Sequence, residues 1–467
     1  MQFREPEDQL YVDPKVYTTG LNFPEPSAIR VYDTTLRDGE QTPGVALTPP
    51  QKYEIAKLIS RMGSHIIDMG FPASDASERE ALSLVLEGKR RGEIRKDLEI
   101  LVMCRASAGD IDHTLNTLKT LGAGPDEITF LIFTSASSLH IKYKLGDSFL
   151  KRAGKSPDDL LDTPVEWFRA ENEKMVNEAI GYAKSKGVTY VEFGSEDASR
   201  TPIEQLIALV QSAVAGGADR YIFPDTTGSL TPEATAYYCD RLAEAFPGLP
   251  LVSHFHNDYD FATINTITAM HHGMPYFSAT INGLGERAGN APLHTVVTAL
   301  KLQYGITIPG FHYELLWEAR KLVERLTGIP IQVHEPVVGQ NVFAHESGIH
   351  THGVLQHPKT YEPIPAELVG GERRFVFGKH SGRNVIRHTL TEAEAILKQH
   401  GLIVDEALVE KVLAKVKDIR VTRAEDGTAE QVIDDLQRNL RKIGMIAEDV
   451  IAIALEMAPN PVSQAAE

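Results

Sequence analysis

Between Ala28 and Leu284 short, almost unbroken apolar runs alternate with longer stretches in which apolar residues return every three or four positions. The short runs are AIRVYDTTL, HIIDMGFP, LEILVMCRA, EITFLIFTS, VTYVEFGSE, RYIFPDTTG, PLVSHFHND and YFSATINGL. Rich in Val, Ile, Phe and Tyr, they predict strands covered on both faces. The longer stretches, among them PPQKYEIAKLISRMG, DASEREALSLVLEGKRRG and TPIEQLIALVQSAVAGG, predict amphipathic helices. Most strand starts fall about 26 to 37 residues apart, the length of one strand-helix unit, except for a single gap of about twice that size. The extra residues in that gap, HIKYKLGDSFLKRAGKSPDDLLDTPVEWF, predict a long loop feeding an extended helix.

Eight such units in series are compatible with a closed (β/α)8 barrel or an open, doubly wound sheet. The polar residues favour the barrel. Arg37, Asp38, Arg105, Thr134, Glu196, Asp225, Thr226, His254, His256 and Asn290 all fall at or just after the carboxyl end of a predicted strand. A barrel gathers those ends around one mouth, whereas an open sheet spreads them along a line. After Ile308 the alternation stops. FHYELLWEARKLVERLTG predicts a helix, a Gly- and His-rich region follows, and from Gly378 onward the chain reads as helical: RNVIRHTLTEAEAILKQHG, DEALVEKVLAKVKDI and AEQVIDDLQRNLRKIG. The expected organisation is a lead-in over 1–27, a TIM-barrel domain over 28–308, a linker or lid over 309–383 that covers the barrel mouth, and a helical subdomain over 384–467.

The 467 residues carry a formal charge of −17, which repels nucleic acid phosphate and anionic lipid. The charged start MQFREPEDQL and the lack of any run of ~18 apolar residues predict neither signal peptide nor membrane anchor, hence a cytoplasmic protein. Cys104 and Cys239 are the only cysteines, too few for a thiolate metal cage and in keeping with a reducing compartment.

In LVSHFHND, His254 and His256 stand two positions apart on a strand and so share a face, while Phe255 points into packing. Two imidazoles on one face suit a shared cation. Asp38, after the first strand, is the natural carboxylate, and Asn290, past the eighth, a fourth ligand. Nitrogen donors favour Zn, Mn, Co or Fe over Mg or Ca, but the oxygen donors make the set mixed and less selective, so that Mg stays open. The alternative is a pair of packed or solvated histidines. In DTTLRDGEQTPG, Arg37 offers a fork of donors that matches a carboxylate, beside an Asp38 able to hold the cation; the plain alternative is a surface Arg-Asp pair. NGLGERAGN contains GxGxxxG, yet it closes the eighth unit instead of opening a first one and lacks an acidic partner at the ribose spacing, so a dinucleotide site is rejected.

DTTLRDGEQTPG, GFP at 70–72, FGSED at 193–197, HFHND at 254–258, NGLGERAGN at 282–290 and AHESGIH at 344–350, in this order, resemble the family of 2-isopropylmalate, citramalate and homocitrate synthases. That family belongs to a wider group of barrel metalloenzymes that includes hydroxymethylglutaryl-CoA lyase. The resemblance spans Ile29 to Arg383. It implies a divalent-metal Claisen condensation of acetyl-CoA, the co-substrate, with a 2-oxo acid, followed by thioester hydrolysis, in a homodimer. Carried over by motif, Asp38, His254, His256 and Asn290 resemble the metal ligands, and Arg37 and Thr226 the residues that hold the oxo acid. Glu196 resembles an active-site carboxylate, His350 the catalytic histidine, Glu286 the carboxylate near it and Tyr361, in KTYEPI, the tyrosine acting with it. A lyase of the same group would share Arg37, Asp38 and the histidine pair, and a silent barrel would have lost one of them.

Three departures bear on the acceptor. Thr129 in EITFLIF stands where the resemblance leads one to expect a histidine or an acidic residue, which makes it a substrate-contact candidate; YDFATIN follows HND; and THG follows GIH. The basic segment GGERRFVFGKHSGR, 370–383, has two readings, a solvated loop or a surface attracting CoA phosphates or a partner subunit. Only 84 residues follow Arg383, and they read as helices, leaving little room for an effector domain. The expected outcome is that millimolar leucine leaves the rate of the purified enzyme unchanged in a thiol-release assay; inhibition at that concentration contradicts it.

Overall fold

The computed structural model describes residues 6–18, 20–399, 401–425 and 431. Eight parallel strands close into a barrel: β1 (Arg30–Asp33), β2 (Ile66–Asp68), β3 (Glu99–Arg105), β4 (Thr129–Ser135), β5 (Val191–Glu196), β6 (Arg220–Asp225), β7 (Leu251–Phe255) and β8 (Tyr276–Ala279). Closure is made by β8 pairing with β1, Phe277 opposite Val31 and Ala279 opposite Asp33. Each predicted strand run supplies one strand.

The helices start and stop where local chemistry says they should. Thr48 and Gln51 form a capping box at the start of helix Pro49–Met62. Asp75 accepts bonds from the amides of Ser77 and Glu78 at the head of Ala76–Arg91, whose last turn carries Lys89, Arg90 and Arg91 against the negative end of the helix dipole. The inner stripe of this helix, Ala81, Leu82, Val85 and Leu86, is buried against the sheet.

Inward-facing side chains divide the barrel into layers. Tyr32, Ile66, Leu101, Leu131, Ile222 and Val252 form an apolar plug across the middle. Beneath it, at the amino ends of the strands, the fully buried Arg220 bridges Glu192 and Glu99, the latter through bonds of 2.7 and 3.2 Å. Burial pushes the Glu192 carboxyl up, to about 7, against the pull of Arg220. Thr129 belongs to this floor: its hydroxyl donates to Glu99 Oε1 at 2.7 Å. As the first residue of β4 it stands two positions below Leu131, with the plug between it and the mouth. Its candidacy as a substrate contact is therefore corrected.

The extra segment between β4 and β5 is helical, not a long loop. Helices Ser138–Tyr143 and Gly146–Arg152 and the turn Pro157–Leu160 precede helix Val165–Ser185. Ile141, Phe149, Leu150 and Phe168 give it a small core of its own, which explains how so many residues are ordered beside the mouth.

Beyond the barrel, helix Leu316–Thr327 lies on the barrel wall against Pro49–Met62, joined by Arg61–Glu318 at 2.7 Å and Arg325–Glu54 at 3.0 Å. Val338, Phe343 and Val369 continue the barrel core from this flank. A short parallel pair, β9 (Ala344–His345) with β10 (Arg374–Phe375), anchors helix Gly348–Gln356. The run RNVIRHTLTEAEAILKQHG breaks at Ala393 into Arg383–Glu392 and Glu394–Gln399, and helix Glu406–Glu425 packs on the first of these through Ile386, Val409 and Leu413. The expected helix AEQVIDDLQRNLRKIG lies, apart from Gln431, outside the described residues. No helix among the described residues is long and apolar enough to cross a membrane.

Arg220→Met leaves Glu192 buried without its cation. Removing one partner of such a pair costs about 3–5 kcal/mol, and the expected result is a lower midpoint in denaturant unfolding.

Candidate active site

The turn after β1 is wound tightly by the amides of Arg37 and Asp38, both donating to the carbonyl of Thr34 at 3.2 and 2.9 Å. This places the Asp38 carboxylate inside the mouth, 2% exposed. Two strands round the barrel from β1, β7 presents His254 on its inner face and buries Phe255 in the wall, and His256 follows just past its end. Asp38 Oδ2 lies 3.1 Å from His254 Nε2 and 3.8 Å from His256 Nε2, and one donor atom from each of the three residues falls within 4.8 Å of the others. The Oγ of Ser278 on β8, 2.9 Å from His254 Nδ1, fixes the ring so that Nε2 faces inward.

Asn290 pairs with His256 in a single antiparallel bridge. Its Nδ2 donates to the carbonyl of Leu284 at 3.1 Å, which leaves Oδ1 buried and without a hydrogen bond. The loop that carries it depends on glycine: Gly289 has φ +90°, and a Cβ there would stand 1.9 Å from the carbonyl oxygen of Gly283. Asp38 Oδ2 and His256 Nδ1 are likewise buried without a sound hydrogen bond. Such a cluster of unsatisfied oxygen and nitrogen acceptors is costly unless a cation completes it, and the donor set fits a divalent ion.

The electrostatics agree with ligand roles. Burial alone would raise the Asp38 pKa, but Arg37, His254 and His256 outweigh it and hold the carboxyl well below its usual range. Burial, with His254 alongside, pushes His256 down to about 4, so its ring is neutral at pH 7.

Arg37 is the second element of the site. Its Nε donates to Asp68 Oδ2 at 2.8 Å, and Nη1 lies 3.5 Å from Asp38 Oδ2. Burial works against its charge, and the two carboxylates more than restore it. Asp68 in turn accepts from the hydroxyl of Thr34 at 3.3 Å and the amide of Gly70 at 3.0 Å. The sequence reading missed Asp68, although a carboxylate ending the apolar run HIIDMG just before GFP was a usable signal.

These groups open into a cavity of about 900 Å³ at the carboxyl ends of the strands. Glu196, Thr226 and Glu286 line it with Arg37, Asp38, His254 and His256. Glu196 accepts from Lys144 and, at 3.2 Å, from Ser135; the Thr226 hydroxyl accepts from the amide of Asp197 at 2.8 Å. Arg287 closes that side, forked onto Asp258 at 2.8 Å and onto the carbonyl of Thr226 at 2.7 Å.

Among the described residues, none after Arg287 lines this cavity, so the described part of the expected lid does not cover its own barrel mouth. Its attachment to the barrel flank is the reason. His350 and Tyr361 are exposed and stacked on one another, ring centroids 4.0 Å apart. In the basic segment behind them Arg373 forks onto Glu362 at 2.6 and 2.5 Å, Glu362 also meets His345 at 3.0 Å, and Arg374 donates to the carbonyl of Gln340, while Arg374, Lys379, His380 and Arg383 stay exposed.

A closed barrel with a buried Asp-His-His cluster at its carboxyl-end mouth is the arrangement of a barrel enzyme, with a donor set that fits a divalent cation. Residues 28–323, more than half of the chain, match the HMGL-like family, and residues 337–424 match the homocitrate synthase post-HMGL domain-like family. The chain belongs to the HMGL-like family, within its synthase branch. Three relatives from Methanocaldococcus jannaschii illustrate the branch. A 2-isopropylmalate synthase is 38% identical, over 92% of this chain and 75% of its own. The homocitrate synthase AksA is 39% identical, over 84% and 86%, and the (R)-citramalate synthase CimA is 37% identical, over 84% and 70%. Three names for three products at nearly equal identity mean that overall similarity does not choose the acceptor.

Asp38→Asn is expected to abolish the rise in thermal midpoint that Mn²⁺ or Zn²⁺ gives the wild-type protein, and His254→Ala to weaken metal binding at least about tenfold in calorimetric titration. An undiminished shift in both variants places the ion elsewhere.

Proposed function

We propose that this chain condenses acetyl-CoA with a 2-oxo acid and hydrolyses the resulting thioester, with 2-oxoisovalerate as the acceptor and 2-isopropylmalate as the product. The observation that carries the reading is the convergence of Asp38, His254 and His256 on one point beside Arg37, inside a cavity large enough for both substrates. In the condensation the acetyl methyl gives up a proton, its carbon bonds to the ketone carbon of the acceptor, and the ketone oxygen becomes a hydroxyl. Water then cleaves the thioester and releases free CoA.

Asp38, His254, His256 and Asn290 hold the divalent ion, which when bound supplies Lewis-acid polarisation of the ketone. Arg37, oriented by Asp68, offers its remaining donors to the acceptor carboxylate, and the Thr226 hydroxyl supplements them. Fixing Arg37 in advance lowers the entropy lost on binding. Glu196 serves as an active-site carboxylate beside Lys144. His350 is the base for the acetyl proton, with Glu286 and Tyr361 assisting; a histidine suits a base working near neutral pH. The exposure of His350 and Tyr361 and their separation from their own cavity support a homodimer in which this pair serves the mouth of the second copy.

The test is release of free thiol from acetyl-CoA with 2-oxoisovalerate, pyruvate, 2-oxoglutarate, oxaloacetate, phenylpyruvate and phosphonopyruvate, with and without chelator. The expected outcome is the fastest release with 2-oxoisovalerate and none after chelation; no release with any acid overturns the reading. His350→Ala should lower kcat by about 10²- to 10⁴-fold while the calorimetric affinity for the oxo acid holds, and a full loss of that affinity would count against a role as base.

A further inference from the structure

A glycine in the interior of a strand weakens the strand and leaves a gap, so it calls for a reason. Gly194 is the fourth residue of β5, paired with Phe133 on one side and Ile222 on the other. It is not among the glycines with positive φ, so conformation does not demand it. Space does. A Cβ at this position would stand 3.0 Å from Cγ2 of Ile222, 3.1 Å from Cδ1 of Leu131 and 3.7 Å from Cβ of Phe133. All three neighbours line the catalytic cavity, as does Gly194 itself.

The strand period places this glycine. Glu192, Gly194 and Glu196 share the inner face of β5, with Glu192 on the floor and Glu196 at the mouth. Gly194 therefore lies on top of the apolar plug, facing the wall formed by Met103, Leu131, Phe133, Ile222 and Pro224. The cations bordering that wall are already committed. Arg105 forks onto Asp110 at 2.6 and 3.0 Å, Lys144 is paired with Glu196, and Arg152 lies 3.6 Å from Glu178. Arg37 and the ligand cluster come from the loop after β1 and from β7, across the cavity from β4 and β5.

We propose that Gly194 gauges the acceptor: having no side chain, it lets Ile222 and Leu131 settle against β5 instead of being pushed into the cavity, which keeps the apolar recess they form with Phe133 wide enough for an uncharged side chain larger than the methyl group of pyruvate. This rests on the condensation reading and deepens it, since an acid whose carboxylate meets Arg37 points its remaining carbons at this wall. A second carboxylate would find no uncommitted cation in the recess and would bear the cost of burial.

The test is Gly194→Ala. The added methyl stands 3.0 Å from Cγ2 of Ile222 and 3.1 Å from Cδ1 of Leu131, so these side-chain ends must shift by a few tenths of an ångström toward the cavity, and a small fall in thermal midpoint is expected. Steady-state thiol release with pyruvate, 2-oxobutyrate, 2-oxoisovalerate, 4-methyl-2-oxopentanoate and 2-oxoglutarate gives the acceptor ratios. Filling one methyl's worth of an apolar pocket changes discrimination on the order of tenfold or more. The expected result is a loss of that size in kcat/KM for the branched acids relative to pyruvate, carried mainly by KM. Ile222→Ala, which widens the same recess, should shift preference toward 4-methyl-2-oxopentanoate and serves if Gly194→Ala does not fold. Unchanged ratios in a folded variant, or a wild-type preference for 2-oxoglutarate, overturn the proposal. Calorimetric titration of the same acids onto the Mn²⁺-loaded proteins reads the ratios without turnover, so a failure of the condensation reading is told apart from a failure of the gauge.

Discussion

One buried carboxylate organises the mouth of this barrel. Asp38 is almost wholly withdrawn from water, and an isolated charge there would be strongly destabilising. Arg37 lies beside it, but that guanidinium is shared with Asp68, so the immediate surroundings of Asp38 set two carboxylates against one guanidinium while His256 stays neutral. The leftover negative charge and the open coordination of Asn290 Oδ1 are what a doubly charged ion would balance, with enough positive charge remaining to attract an anionic acceptor.

The opposite end of the barrel solves a different problem with similar residues. Arg220, Glu192, Glu99 and Thr129 satisfy one another on the floor, and Arg220 also lies over the rings of Tyr190 and Tyr276. The apolar plug separates this closed network from the reactive one above. Polar groups at the amino ends of barrel strands serve stability and those at the carboxyl ends serve chemistry. Thr129 and Thr134 fall on either side of that divide although they occupy a single strand.

The second region is held by its side, through Trp317, Phe343 and the helix on the barrel wall, and internally by the Arg373–Glu362–His345 network. Of the basic segment, Arg373 fastens the residue next to Tyr361, while Arg374, Lys379, His380 and Arg383 remain exposed. That rigid backing presents His350 and Tyr361 outward as a stacked pair, a geometry suited to work away from their own cavity.

Much of this was written locally in the chain. The eight apolar runs fixed the strand count, the two-residue spacing of His254 and His256 fixed their common face, and the positions of Asp38 and Asn290 at strand ends placed them at one rim, because strand period and strand direction are properties of short segments. Other features depend on partners far apart in sequence. Asp68 acquires its role only where closure brings β2 beside the turn after β1, and Gly194 only where Leu131 and Ile222 converge on it from neighbouring strands. The helices in the long insert, the floor position of Thr129 and the flank attachment of the second region were likewise decided by packing, since a side chain's depth in a barrel is set by the register of all eight strands and not by its own segment.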